Sequence, residues 1–380
     1  MIKKRCKTNI VKSVLVIACT LFIVLSSGFL PKATAVPLDD EINKVVALYG
    51  QQIQDSYSMI KSRSLPSDSQ GMLARKNGIE SDTSAEQGMD NSNVRVSTNV
   101  VSSTVSSSTK TIVADITTSI TAVPKPGAVI HIAGENRDSL ESSYTERHVL
   151  TVKQKSEAGA KELAITQDVI EEPTTDETDA EAVSFPDRQK NDSFGFSPRL
   201  QTYGGSANSV GLDYIKMAQY AELWTDPAHA NTMNPKYPVY DQNCANFVSQ
   251  ALEYGGLGTT SANMANKNDE NRWTGWIWGS WKASTRTWHN AEMNYRYMAN
   301  HSKSFYRSDI RYTAGGGLAY ADWHNNGQID HAMVVVGYIG YGSELGPVVC
   351  GKTNNSHDVP LAQITRRHPG MRWHGLQWRY

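Results

Sequence analysis

All nine tryptophans and eight of the ten histidines of this chain lie after residue 200. A chain that keeps its largest aromatic side chains to one end does not seed a single even core, so two regions of different chemistry are expected. Charge divides at the same place. From Val36 to Leu200 there are 16 Lys+Arg against 25 Asp+Glu, a formal −9, and after Leu200 there are 15 against 13, a formal +2. Between them, Glu171 to Asp192 is acidic, Pro-punctuated and nearly free of large apolar residues, the composition of a linker.

The first residues carry Lys3, Lys4, Arg5, Lys7 and Lys12, then an apolar run from Val14 to Leu30, then Ala33-Thr34-Ala35. This order reads as a secretory signal peptide cleaved after Ala35. The apolar run is short for a span, so no stable membrane anchor is expected after cleavage. The expected location is secreted or extracellular, with cell-wall association as an option. Cleavage removes six basic and no acidic residues, taking the formal charge from −1 to −7. With an acidic mature chain and no basic stripe, no nucleic-acid partner is expected. Of the four cysteines, Cys244 and Cys350 remain, too few for a disulfide scaffold. Export nevertheless permits a bond between those two.

The expected organisation is a signal peptide (1–35), an accessory or pro-region of helix plus sheet (36–168), a linker (169–204) and a C-terminal domain (205–380). Ile42, Val45, Val46, Tyr49, Ile53, Tyr57 and Ile60 have helical spacing. The polar, Ser-rich stretch after them reads as a loop. Thr111–Thr118, Ala128–Ala133, His148–Val152 and Leu163–Val169 read as strands of a curved antiparallel sheet. The segment from Tyr144 to Val152 is similar to strands of the cone-shaped nuclear-transport-factor-like domains that precede some secreted amidases.

In Asp241-Gln-Asn-Cys-Ala-Asn-Phe-Val-Ser-Gln-Ala-Leu-Glu-Tyr-Gly-Gly256, residues Cys244, Phe247, Val248, Ala251 and Leu252 share a helical face, and Gly255-Gly256 is a stop signal. Cys244 therefore falls in the first turn. Unpaired N–H groups at a helix start stabilise a thiolate and can hold an oxyanion, here through the Cys244 and Asn243 amides. The bland reading is a small buried hydrophobe. Farther on, Leu318–Trp323 and Ile329–Val336 read as strands joined by an Asn-Gly turn. His331 opens the second, on the same face as Met333 and Val335. Val348 to Leu361 should pair beside it and supply a group to orient the imidazole.

Together, Tyr214 to Trp224, Asn234-Pro-Lys-Tyr-Pro238, Asn243-Cys-Ala-Asn-Phe-Val-Ser-Gln250, Asp322-Trp323, Asp330-His331 and Thr353-Asn354 resemble the amidase domains of secreted Gram-positive proteins. That group is papain-like and related to NlpC-type cell-wall peptidases. The resemblance implies an α+β fold: a C-terminal papain-like domain with its nucleophile helix packed on an antiparallel sheet, preceded by a small α+β domain. It also implies Cys244 as nucleophile, His331 as base, a thioester intermediate, a peptide or peptidoglycan amide as substrate, and no cofactor. Three positions depart from the family pattern: Asn243 stands for Asp, Gly316-Gly317 for Gly-Asp, and Lys352 for a frequent His. An ammonium offers no acceptor to an imidazole N–H, so Asn354 is the candidate third residue.

The loop from Asp322 to Asp330 faintly echoes a calcium loop but lacks its Glu, and no zinc signature occurs, so no metal is expected. Trp273, Trp276, Trp278, Trp281 and Trp288 crowd one insertion; most should fill core, with Trp273 and Trp281 as candidate groove walls. The basic, aromatic tail (Arg366 to Arg379) reads as solvated. The non-enzymatic alternative is a cell-wall or surface-binding module with a structural Cys244.

Overall fold

The periodic apolar residues of the first region do form a helix, α1 (Asp40–Lys61), with Asp40 and Glu41 placed favourably on its positive end. Ile42, Val46, Tyr49, Ile53 and Tyr57 are at most 5% exposed. The computed structural model describes residues 40–61, 88–105, 109–157, 160–171, 211–278, 283–341, 345–368 and 370–379. The signal-peptide segment and the expected linker beyond 171 lie outside these.

α1 packs on an antiparallel sheet of β1 (Met89–Val105), β2 (Lys110–Pro124), β5 (Leu140–Glu157) and β6 (Ala160–Glu171). Strand β1 corrects the expectation of a loop there. Asn93, Ser97, Asn99, Ser102 and Ser103 face solvent at the sheet edge, while Val94, Val96 and Val100 pack on the α1 core. An edge strand with one wet face needs few apolar residues, so hydropathy alone hides it.

After residue 210 come helices α2 (Tyr214–Thr225), α3 (Cys244–Tyr254), α4 (Arg286–His289) and α5 (Ala291–Arg296). The strands are β7 (Phe305–Ser308), β8 (Leu318–Asp322), β9 (His331–Gly340), β10 (Gly346–Gly351) and β11 (Ser356–Pro360). Helix α6 (Leu361–Arg367) and β12 (Arg372–Trp378) close the chain. The expected solvated tail is thus a strand: β12 pairs with both β7 and β8, and Leu376 is fully buried. Its period-two pattern is obscured by His374 and Gly375.

Among the described residues the strands make one twelve-stranded sheet, nine of them in the order β1-β2-β5-β11-β10-β9-β8-β12-β7, with β6 joined to β5 and two short strands joined through β9, so the architecture is mixed α/β around a large antiparallel sheet. Two joints bind the early strands to the late ones. Ser143 and Tyr144 of β5 pair with His357 and Ser356 of β11. Strand β3 (Val129–Ile132), in a hairpin with β4 (Glu135–Asn136), pairs with Gly337–Gly340 of β9.

Both faces of the sheet are covered, which is why β8 is buried along its whole length. On one face Phe247, Val248, Ala251 and Leu252 of α3 pack with Ala332, Val334 and Val336 of β9. On the other, Leu361 and Ile364 of α6 pack in one cluster with Met333, Val335, Val349 and Val359.

The β3–β9 joint depends on a missing side chain. A Cβ on Gly337 would lie 2.0 Å from the His131 carbonyl oxygen and 2.7 Å from Ile132 Cα, both backbone atoms that cannot swing aside. Gly337→Ala is expected to lower stability by roughly 3 kcal/mol, read as a lower denaturant midpoint. Gly258→Ala, where a Cβ meets nothing within 4 Å, should leave the midpoint nearly unchanged.

Candidate functional site

Strand alternation decides where His331 points. It shares its face with Met333 and Val335, so its ring stands on the side of the sheet opposite the one that packs α3. The ring centroid lies 5.6 Å from that of Trp323, and Nε2 is 3.6 Å from where a Cβ on Gly351 would sit. The imidazole is 2% exposed, and its Nδ1 is buried without a hydrogen-bond partner. Burial, with a smaller contribution from nearby His368, pushes its pKa down to about 3. It is a neutral base.

A cleft opens at this ring because β5 hands its free edge from β11 to β6. Between Tyr144, paired with β11, and Arg147, paired with β6, Thr145 N bonds to the Asn355 carbonyl at 2.8 Å. The cleft is lined there by Thr145, Glu146 and Ile170, and across from them by His331, Trp323 and His368. Arg367 also lines it and lies over the Tyr144 ring, 3.4 Å from its centroid.

Cys244 opens α3, as its spacing implied, and is 2% exposed within the core that holds Ala332 and Val334. Asn243 precedes it but does not cap the helix with its side chain. Its Oδ1 instead accepts from Tyr240 N at 3.0 Å and from Asn246 Nδ2 at 2.9 Å. The backbone amide of Asn243, expected to face an oxyanion, donates to Thr353 Oγ1 at 2.6 Å. The polar positions of the Cys-Ala-Asn-Phe-Val-Ser-Gln stretch have structural partners. Asn246 Oδ1 accepts from Trp288 Nε1 at 2.8 Å, and Ser249 Oγ accepts from Trp273 Nε1 at 3.0 Å.

Asn243, the residue before Cys244, and His331 thus flank one turn from two sides, while Cys244 itself lines neither cavity. Thr353 and Asn354 line the His331 cleft and also a neighbouring cavity of about 250 Å³ that includes Asn243 and Lys352. Both are left-handed, with φ of 59° and 61°. For β-branched Thr353 that is a strained conformation, about 1–3 kcal/mol, held in part by the bond to the helix start. Because His331 Nδ1 has no partner, neither the Cys244 thiol nor the Asn354 amide engages that nitrogen in this state.

Lys352 is 4% exposed, and its ammonium donates to the carbonyls of His229 and Ala230 at 2.8 and 2.9 Å, with burial lowering its pKa to about 8. It ties down a loop and does not orient an imidazole. Trp273 is wholly buried against Trp288 and lines neither cavity, so it is core where a groove wall was expected. Trp281 lies outside the described residues. Cys244 and Cys350 are both free thiols. The Asp322 carboxylate accepts from Asn326 N and Gly327 N at 3.0 and 2.7 Å, so it shapes the turn.

Sequence reasoning missed the contribution of Tyr144, Thr145, Glu146 and Ile170 to the cleft. No local pattern in the first region signals it, since it depends on a pairing more than 200 residues distant in sequence.

Residues 211–375 match a family model described as "Putative amidase domain". The match supports an amidase-like family for this part of the chain, and with it amide hydrolysis. Over 133 residues the chain is 32% identical to "Uncharacterized protein YhbB" of Bacillus subtilis (strain 168), covering 33% of this chain and 37% of that protein. The chain therefore spans little more than a third of that relative's length. No solved structure matches.

Proposed function

We propose that this is an exported, cysteine-dependent amide hydrolase acting on a peptide or peptidoglycan amide at the cell wall. The observation that carries the reading is the strained Thr353–Asn354 turn. It separates a cavity at the start of the Cys244 helix from the cleft that holds an imidazole whose Nδ1 has no hydrogen-bond partner. The amidase-domain match includes all of these residues.

In this reading the Cys244 sulfur adds to the amide carbonyl carbon as His331 takes the thiol proton. The first-turn amides of α3, left uncapped by the Asn243 side chain, hold the oxyanion. The tetrahedral intermediate collapses to a thioester as the imidazolium returns the proton to the leaving amine. Water, deprotonated by the same imidazole, then cleaves the thioester and regenerates the thiol. Cys244 packs with the residues on the α3 side of β9, and His331 stands on the other side. An imidazole with a pKa near 3 is also a weak base until a thiolate or solvent reaches it.

Iodoacetamide labelling across pH tests this. Cys244 is expected to react with an apparent pKa below the ordinary thiol value of about 8.5. That reaction should vanish in Cys244→Ala and shift upward in His331→Ala. Equal, slow labelling of all three proteins would remove the assignment. Digestion of purified peptidoglycan, followed by assay of newly freed amines, addresses the substrate.

A further inference from the structure

Strands β10 and β11 bring Cys350, His357 and Asp358 together away from both cavities, with one donor atom of each within 4.8 Å of the others. Cys350 and Asp358 are 0% and 1% exposed, while the His357 side chain is 13% exposed and offers a path from solvent.

The hydrogen bonds orient these groups. Thr225 Oγ1 donates to the Ala221 carbonyl at 2.7 Å, so toward His357 Nδ1, 3.0 Å away, it accepts. Nδ1 therefore carries the ring proton and Nε2 presents a lone pair. That lone pair stands 3.9 Å from Asp358 Oδ2, the carboxylate oxygen that Arg137 Nη1 binds at 3.0 Å. Cys350 Sγ donates to Asp358 Oδ1 and accepts from the Asp358 amide, each at 3.3 Å. The left-handed backbone of Asp358, φ 49°, is what turns that amide toward the sulfur.

Arg137 binds both Glu222 and Asp358, one guanidinium for two carboxylates.

We infer that Cys350, His357 and Asp358 form a divalent-cation site suited to zinc, with Sγ, Nε2 and Oδ1 as ligands and water in the fourth position. Zinc favours this sulfur, nitrogen and oxygen set, and ligand bonds of about 2.0–2.3 Å require side-chain shifts of about 1 Å to close the cluster. On binding, the Cys350 S–H bond breaks, its proton leaves to solvent and the sulfur remains as thiolate. Thr225 fixes the His357 tautomer, the usual arrangement behind a metal-bound imidazole. The site pins β10, β11 and α2 to one another beside the β5–β11 joint.

Cobalt(II) added to the chelator-treated full chain tests the site. One equivalent is expected to bind with an intense thiolate-to-cobalt charge-transfer band and tetrahedral d–d absorption, and zinc should displace it. Cys350→Ser should lose the charge-transfer band and Cys244→Ser should keep it. Thr225→Val should weaken binding roughly 10–100-fold, and His357→Ala, at a partly exposed position, by at least as much. Native mass spectrometry of the unsubstituted chain showing no one-equivalent zinc adduct would overturn the inference. So would a charge-transfer band that survives Cys350→Ser and disappears in Cys244→Ser.

Discussion

Cys244→Ala is expected to lower turnover of an amide substrate by about 10⁴-fold or more, and His331→Ala by a similar factor. The double variant should be no slower than the worse single variant. A nucleophile and its base act in one step, so removing either leaves only substrate positioning and oxyanion stabilisation. Stability serves as the control. Cys244→Ala deletes one sulfur from a packed core and should cost about 1 kcal/mol, far too little to unfold the chain. Thermal melts of the singles and the double, beside kcat for each, make the comparison. Losses that multiply in the double variant would show that the two residues act independently, and the proposed pair would fall.

Acid is expected to unfold the protein well before its carboxylates are all protonated. His289 and His331 are buried neutral imidazoles, each with a pKa lowered to about 3, chiefly by burial; Arg286 and Lys267 add to the effect at His289. His289 is held by Ser284 Oγ at 2.8 Å and stacked on Tyr240 at 4.4 Å. In the unfolded chain both take a proton near pH 6.5. Between 6.5 and 3 the unfolded state therefore binds more protons than the folded one. Their contribution is fully present above 6.5 and is lost as pH falls towards 3. Two such groups give a slope of up to about 2.7 kcal/mol per pH unit. Denaturant titrations at closely spaced pH values, compared with His289→Gln and His331→Gln, isolate the effect. Each substitution should flatten the slope by about one proton, and an unchanged slope in either would refute that residue's part.

Much of the site was legible where chemistry depends on neighbours in sequence. The spacing of Cys244, Phe247, Val248, Ala251 and Leu252 placed the sulfur in a first helical turn, where α3 begins. The Asn326-Gly327 turn and its flanking strands were equally local, with Gly327 at φ 88° and Asp322 bonding the turn amides. The Cys350, His357 and Asp358 cluster escaped notice because its spacing matches no paired ligand motif. A left-handed Asp358 and the register between β10 and β11 create the cluster, and neither has a signature in residue type.

Periodicity and turn chemistry by themselves determined α1, α3, the hairpin of β8 and β9, and the sharing of one strand face by His331, Met333 and Val335. These depend on contacts within a few residues, which a linear pattern records. Only the tertiary structure decided that β5 pairs with β11 and β3 with β9, and that α3 covers the face His331 avoids. Any two extended segments offer each other the same backbone donors and acceptors. Partner and face are therefore chosen by the packing of side chains far apart along the chain.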